Sequence, residues 1–215
     1  MNYAFIISLL EGLFGTVILS MLTFIFGGIL GFIIALARIS PVAVISRGTS
    51  VYIEILQGMP LLVLMGLCFY GPGIFGYDSL SPLQAATFAL TLYSSAYLGE
   101  IWRGCLQSVA KPQWEAAECL GISRWHRMRH VILPQALRIA TPPTVGFMVQ
   151  IIKNTSIASL VVGYAELSYN AKIINNSTFQ PFLYFGIAAL MYFAICYPLS
   201  VQSRVLERKL NVANR

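Results

Sequence analysis

The chain has 215 residues, of which 57% are hydrophobic and 10% are charged, and its formal net charge is +6. Soluble domains carry about 25% charged residues, so this composition excludes most water-soluble proteins of this size. It also excludes a disordered chain, which would be poor in hydrophobic residues. The sequence therefore predicts one membrane domain, residues 1–215.

Five long apolar segments follow one another along the chain, and each is long enough for a helix to cross the bilayer, which takes about 20 residues. They cover residues 13–37, 55–77, 79–99, 139–163 and 181–203. The runs are continuous rather than alternating, which favours helices over the strands of a membrane barrel. We therefore expect an all-α membrane protein with about five transmembrane helices, the last of which begins at Pro181.

The basic residues are divided unequally between the two sides of these spans. One side carries only Lys172, and Lys153 lies within a span. The other side carries twelve: Arg38, Arg47, Arg103, Lys111, Arg124, Arg127, Arg129, Arg138, Arg204, Arg208, Lys209 and Arg215. The positive-inside rule places these twelve in the cytoplasm. The N-terminus is then predicted to lie outside and the C-terminus in the cytoplasm.

One substantial polar segment, a cytoplasmic loop of about residues 104–138, lies between the third and fourth spans. Residues 113–120 favour a helix. Gly121 would end that helix by adopting a positive φ, and Ser123 would cap a second one. Two short helices would then lie at the membrane surface, with alanines forming a shallow face for a closely packed partner. The arginines of the loop also favour contact with anionic lipid.

The same segment resembles the EAA loop of the integral membrane subunits of bacterial ABC importers. That loop reads EAA, three residues, Gly, nine residues, Ile, one residue and Leu-Pro. The matching residues here are Glu115, Ala116, Ala117, Gly121, Leu133 and Pro134, with Val131 in the place of Ile. Flanking segments resemble the polar amino acid (histidine/arginine/glutamine) branch of these proteins: EILQGMPLLV, AYLGEIWRG, LPQALR and KNTSIAS. The resemblance covers nearly the whole chain.

The resemblance implies a type I ABC importer permease fold in the bacterial inner membrane. The loop would be a coupling helix on cytoplasmic ATP-binding subunits, and an extracytoplasmic amino-acid-binding protein would deliver the substrate. The chain contains no G-x-x-x-x-G-K-[ST] segment, which an ATP-binding P-loop requires. ATP would be used by the partner, so we expect no cofactor and no catalytic residue here. Membrane lipid is an expected partner, and nucleic acid is not.

Polar residues inside the fourth span form a candidate substrate pathway. Lys153 lies fourteen residues beyond Ile139, near the middle of the span, and a charge at that depth normally faces a cavity or a partner. The polar residues that follow it are Asn154, Thr155 and Ser156. Lys153 either offers its cation to a substrate carboxylate or stabilises helix packing. The acidic residues that could pair with it are Glu54, Glu100 and Glu166, and Glu100 is grouped with the candidate pathway.

Other function classes have less support in the sequence. His126 and His130 could present two imidazoles to a metal, but no third ligand lies nearby, so no metal site is predicted. An intramembrane enzyme would need a nucleophile and a base, and the spans hold no histidine. The alternative is an ATP-independent secondary transporter or channel for small polar solutes, although no inverted repeat is visible. Five helices are too few to enclose a pathway, which favours a second permease subunit, the same or a homologous chain.

Overall fold

The computed structural model describes residues 3–78 and 80–213, and these contain helices and no strand. The helices are α1 (Tyr3–Arg38), α2 (Ala43–Gly58), α3 (Leu61–Ile74), α4 (Pro82–Gln107), α5 (Lys111–Cys119), α6 (Arg124–Arg127), α7 (Leu133–Asn154), α8 (Ser156–Val161), α9 (Leu167–Thr178) and α10 (Pro181–Ala213). A π-helical turn, Met128–Ile132, joins α6 to α7. Ser79, where the predicted third span begins, and Arg215, one of the twelve basic residues, lie outside the described residues.

The centre of the fold is the contact between α1 and α4, and small residues make it close. A β-carbon on Gly27 would lie 2.8 Å from the Ser94 β-carbon, and one on Gly31 would lie 3.0 Å from that of Leu98. The four-residue spacing of these glycines puts both on one face of α1. Their role is therefore packing within the chain, where helix backbones approach closely.

The predicted second span, residues 55–77, is interrupted in the structure. Helix α2 ends at Gly58, and α3 leaves it at an angle of 102°. Pro60 explains the break, because the residue before a proline is driven to extended backbone, and Met59 has a ψ of 132°. With 14 residues, α3 is about 21 Å long at 1.5 Å per residue. It is too short to cross the hydrocarbon alone, so a crossing here needs both helices.

The number of apolar helices is lower than the five predicted spans. Among the described residues, three helical stretches are long and apolar enough to cross a membrane, and the bent α2–α3 pair would be a fourth. Helix α4 has 26 residues but is not apolar enough to be counted among them. Its inner face is covered by neighbouring helices, with Ala85, Ala89 and Leu90 fully buried. It therefore presents less surface to lipid, and the span limits stay predictions.

The two long helices on either side of the predicted loop, about residues 104–138, extend into it, and the limits of the loop stay a prediction. Helix α4 continues to Gln107, and α7 begins at Leu133. Residues 108–132, here called the connecting segment, remain between them. The last long helix begins at Pro181, as its sequence position predicts.

Candidate functional site: the connecting segment and the polar residues of α7

The connecting segment folds into two short helices separated by one glycine turn, as the sequence predicts. Gly121 has a φ of +68°. Its N–H donates to the Glu118 carbonyl at 2.9 Å, and the Ile122 N–H donates to the Ala117 carbonyl at 3.1 Å. This pair of hydrogen bonds is the Schellman arrangement that closes a helix C-terminus. Ser123 then caps α6, its Oγ accepting from the His126 N–H at 3.4 Å.

The connecting segment packs against the ends of the long helices through one side only. Ala117 is 3% exposed, and Trp114 lies on an apolar cluster formed by the ends of α1, α4 and α7. Glu115 and Ala116 are exposed. Since α5 turns these two residues away from the bundle, it presents a carboxylate and a small side chain on a free surface.

Two polar contacts hold α5 against the residues that follow it. Arg127 donates to the Glu118 carboxylate at 2.9 Å, and its guanidinium lies 5.9 Å from the centre of the Trp114 ring. Gln135 of α7 donates to the Gln113 side chain at 3.4 Å. The connecting segment is therefore fastened to the start of α7.

The six residues matched to the EAA loop do not share one surface. Glu115, Ala116 and Gly121 are exposed in the connecting segment, whereas Ala117 faces the bundle. Leu133 and Pro134 lie in the first turn of α7, where Leu133 joins the apolar cluster at the helix ends. A proline is tolerated in a first helical turn because its missing N–H is not needed there. Leu133 therefore belongs to the link with the bundle, whereas Pro134 beside it is exposed.

The link between the connecting segment and the membrane domain is one uninterrupted helical path. Helix α6, the π-helical turn and α7 run continuously, and with α8 they form a stretch from Arg124 to Val161. π-Helical turns are rare and occur often at functional sites. Continuous helical backbone therefore joins α6 to the polar residues at the end of α7.

The four polar residues at the end of α7 point in different directions. Lys153 is exposed and Ser156 is half-buried, whereas Asn154 is 9% exposed and Thr155 is fully buried. The Thr155 and Ser156 hydroxyls donate to backbone carbonyls at 2.7 Å. Gln150 donates to the Asn154 side-chain oxygen at 3.2 Å. The predicted polar patch is thus divided, and Lys153 presents the charge on the open face.

The described residues include no carboxylate in a salt bridge with Lys153. Glu100 instead pairs with Arg103, one turn further along α4. Glu54 is exposed and accepts from the Ser50 hydroxyl at 2.9 Å. Glu166 is fully buried elsewhere. Within one chain, then, the Lys153 charge is available to a group from outside.

Glu166 is a structural centre that the sequence suggests only as a possible partner of Lys153. One carboxylate oxygen accepts from the Tyr169 N–H at 2.9 Å and caps α9. The other accepts from Tyr192 of α10 and from Thr16 of α1, the latter at 3.3 Å. Gly15 of α1 lets the backbone at Ala165 pack closely against the helix, since a β-carbon on Gly15 would lie 2.5 Å from the Ala165 carbonyl oxygen. Glu166 therefore joins α1, α9 and α10.

The comparison with known proteins identifies the class to which this fold and segment belong. Residues 27–212 match the model of the binding-protein-dependent transport system inner membrane component family. The chain therefore belongs to this family of integral membrane permease subunits of ABC transporters, as the resemblance of its loop predicts.

Individual relatives agree with this membership over most of their length. The chain is 36% identical to a probable amino-acid ABC transporter permease protein of Bacillus subtilis over 200 residues, which covers 93% of this chain and 88% of the relative. It is 39% identical to the L-cystine transport system permease protein of the same organism over 201 residues, or 93% and 85% of the two chains.

A solved structure shows that the similarity extends to the fold. The crystal structure of an amino acid ABC transporter with histidines contains a chain that superimposes with a TM-score of 0.88 at 32% sequence identity. The match covers 97% of this chain and 99% of that one. The fold is that of a type I ABC importer permease, which confirms the predicted fold class.

Proposed function

We propose that this chain is the permease subunit of an ATP-driven importer, and that it forms the translocation pathway for a polar amino acid. The observation that carries the proposal is the exposed face of α5, set on a segment whose second helix, α6, continues without a break into α7. Family membership supports this reading over the ATP-independent transporter or channel. The relatives described above, named for amino acids and for L-cystine, support the substrate class.

The connecting segment is the proposed contact with a cytoplasmic ATP-binding subunit. Ala116 lets a partner approach α5 closely, and Glu115 beside it offers a charge for orientation. Gly121 fixes the angle between α5 and α6. Leu133 and Pro134 pass the movement on to α7. On this proposal the ATP-binding subunit uses ATP, and this chain carries out no covalent chemistry.

The exposed Lys153 supports a second permease subunit. At about 1.5 Å per residue, it lies about 21 Å along the helix from Ile139, deep in the predicted fourth span. A cation facing lipid at that depth is unfavourable by at least about 2.5 kcal/mol. A second subunit placed against this face, with a hydrated pathway between the two, would remove Lys153 from lipid. Lys153, Asn154 and Ser156 would then line or border the pathway.

The remaining assignments follow from this architecture. The chain would lie in the bacterial inner membrane, with its N-terminus outside and the connecting segment in the cytoplasm. Arg38, Arg124 and Arg127 line one cavity, which supports the prediction that their loops share a side. An extracytoplasmic binding protein would deliver the amino acid at the opposite end.

The test of this proposal is Ala116→Arg, which puts a long charged side chain on the exposed face of α5. We expect co-purification of the ATP-binding subunit and ATP-dependent amino acid uptake in liposomes to fall about tenfold or more, because central interface residues contribute about 2 kcal/mol or more. Ala43→Arg is the matched control, because Ala43 is an exposed alanine at the start of α2.

Two outcomes would contradict the proposal. Normal co-purification and uptake with Ala116→Arg would exclude α5 as the coupling contact. Uptake by the purified chain without ATP or partner subunits would instead favour the alternative function, an ATP-independent secondary transporter or channel.

A further inference from the structure

A large open cavity lies behind the connecting segment, away from the exposed face of α5. Its volume is about 780 Å³, and the ends of α1 and α4, the short link after α1, and the connecting segment surround it. Small-molecule sites commonly occupy about 300–1,000 Å³. The charged and aromatic residues that line it are Arg38, Trp114, Glu118, Arg124, Trp125 and Arg127.

The cavity has an excess of positive charge. Among the described residues that line it, three arginines face one carboxylate, Glu118. Arg127 is already paired with Glu118 at 2.9 Å. Arg38 and Arg124 are in no salt bridge among the described residues. Two guanidinium groups therefore remain for an anion from outside the chain.

Arg38 is held in place while part of its hydrogen-bonding capacity stays unused. One terminal nitrogen donates to the Ser46 hydroxyl at 3.2 Å, and that hydroxyl donates to the Arg38 carbonyl at 2.9 Å. The Nε of Arg38 is buried and has no acceptor among the described residues. A buried donor without an acceptor is unfavourable by about 1–3 kcal/mol. The second terminal nitrogen of Arg38 makes no hydrogen bond among the described residues, and it is this nitrogen that remains for an oxyanion in the cavity.

We propose that this cavity binds the phosphate of an anionic phospholipid, with Arg38 and Arg124 as the principal ligands. Guanidinium forks match the geometry of phosphate oxygens. Trp125 is 66% exposed, and tryptophan is enriched at the level of the lipid headgroups. Leu36, Ile39 and Met128 add apolar lining, which suits a lipid better than a free phosphate ion.

The site goes beyond the proposed transport function and depends on it only for the placement of this end at the cytoplasmic membrane surface. Basic pockets between helices on that side are known to bind anionic lipid headgroups. The bound lipid would join the end of α1 to the connecting segment, so it would stabilise the position from which α5 meets its partner.

The experiment measures phosphatidylglycerol that stays bound to the full chain. The chain is purified in mild detergent with phosphatidylglycerol present, washed free of loosely held lipid and examined by native mass spectrometry. We expect the wild-type chain to keep one phosphatidylglycerol. Arg124→Gln should lower its occupancy about tenfold, because a hydrogen bond to a charged group contributes about 1.5–3 kcal/mol. The Arg38→Gln/Arg124→Gln double variant should lower it further.

Arg129→Gln is the matched control. Arg129 is exposed in the same segment but does not line the cavity, so its loss should leave the lipid bound. Arg124→Gln keeps the proposal testable if the double variant fails to fold, because Arg124 is exposed and makes no side-chain hydrogen bond or ion pair among the described residues.

Each contrary result overturns the proposal. Equal occupancy in the wild-type chain and Arg124→Gln would exclude these ligands. Equal loss in Arg129→Gln would show only a diffuse surface attraction. Release of the lipid by millimolar inorganic phosphate would assign the site to a soluble anion. None of these results would change the outcome of the Ala116→Arg test.

Discussion

At the scale of single residues, Lys153 is the side chain whose role is most open to a direct test. It is exposed near the end of α7 while its neighbours Asn154 and Thr155 are buried. Because the described residues supply no carboxylate partner within the chain, its cation is free for a substrate carboxylate or for a second subunit.

We expect Lys153→Met to lower amino acid uptake about tenfold or more, since a charge-assisted hydrogen bond to a carboxylate contributes about 1.5–3 kcal/mol. The assembled complex should still elute intact on size-exclusion chromatography. Lys172→Met, at an exposed lysine of α9, is the control and should transport normally. Wild-type uptake by Lys153→Met would remove this residue from the pathway, and loss of the complex would assign it to subunit packing.

The structural role of Glu166 could not be predicted from the sequence by considering residues one at a time. Lys153 could be singled out because a charge within an apolar run is conspicuous and physically unfavourable. Glu166 lies between two apolar segments, where an acidic residue is unremarkable in a sequence. Its burial depends on Thr16 and Tyr192, which are distant in the chain and meet it only after α1 and α10 have packed. Long-range contacts of this kind have no local signature.

At the scale of elements, the connecting segment was the most predictable part of the molecule. Helix formation, the glycine turn and the serine cap each depend on residues within a few positions of one another. The break between α2 and α3 also had a local signal in Pro60, but the uniformly apolar sequence around it suggested one continuous span. Hydrophobicity indicates which residues can lie in lipid, but it does not show whether the helix that they form is straight or bent.

We expect Gly121→Val to disrupt this turn and reduce coupling. At a φ of +68°, a side chain is disfavoured by roughly 1–2 kcal/mol, so the angle between α5 and α6 would change. ATP-dependent uptake should fall about fivefold or more. Apart from its two chain neighbours, no residue has an atom within 4 Å of the position that a β-carbon would take on Gly121, so the effect would come from backbone strain rather than collision.

Gly104→Val is the matched control for that variant. Gly104 lies within α4 with equally open space around it and no positive φ, so the same side chain should have little effect on uptake there. If both variants transported at the wild-type rate, the geometry of the Gly121 turn would not be required for coupling.

At the scale of the whole molecule, the membrane class was predictable from composition and the all-α class from the continuous apolar runs, whereas the number of crossings was not. Helix α4 illustrates the reason. Its position at the centre of the bundle, with alanines against α1 and α3, lets it be less apolar than a helix surrounded by lipid. A membrane helix must be strongly apolar only where it faces lipid. The hydropathy of a helix covered by other helices therefore lies between that of a lipid-facing helix and that of a soluble one.

The orientation of the whole chain yields the last prediction. Cys119 is exposed on α5, at the end of the molecule where the arginines of the connecting segment gather, and Lys172 is exposed on α9. The proposed orientation puts Cys119 in the cytoplasm and position 172 outside. A membrane-impermeant maleimide added to intact spheroplasts should therefore label a Lys172→Cys chain and leave Cys119 unlabelled.

The labelling experiment compares two variant chains, each with a single cysteine. One keeps Cys119 and has Cys68, Cys105 and Cys196 replaced by alanine, and the other lacks all four cysteines and carries Lys172→Cys. Both are produced without the ATP-binding subunit, so that a partner cannot cover Cys119. After permeabilisation both should react, which controls for accessibility. Labelling of Cys119 in intact spheroplasts would mean that the orientation is the reverse of the one proposed. The connecting segment would then lie outside, away from any cytoplasmic source of ATP-driven movement.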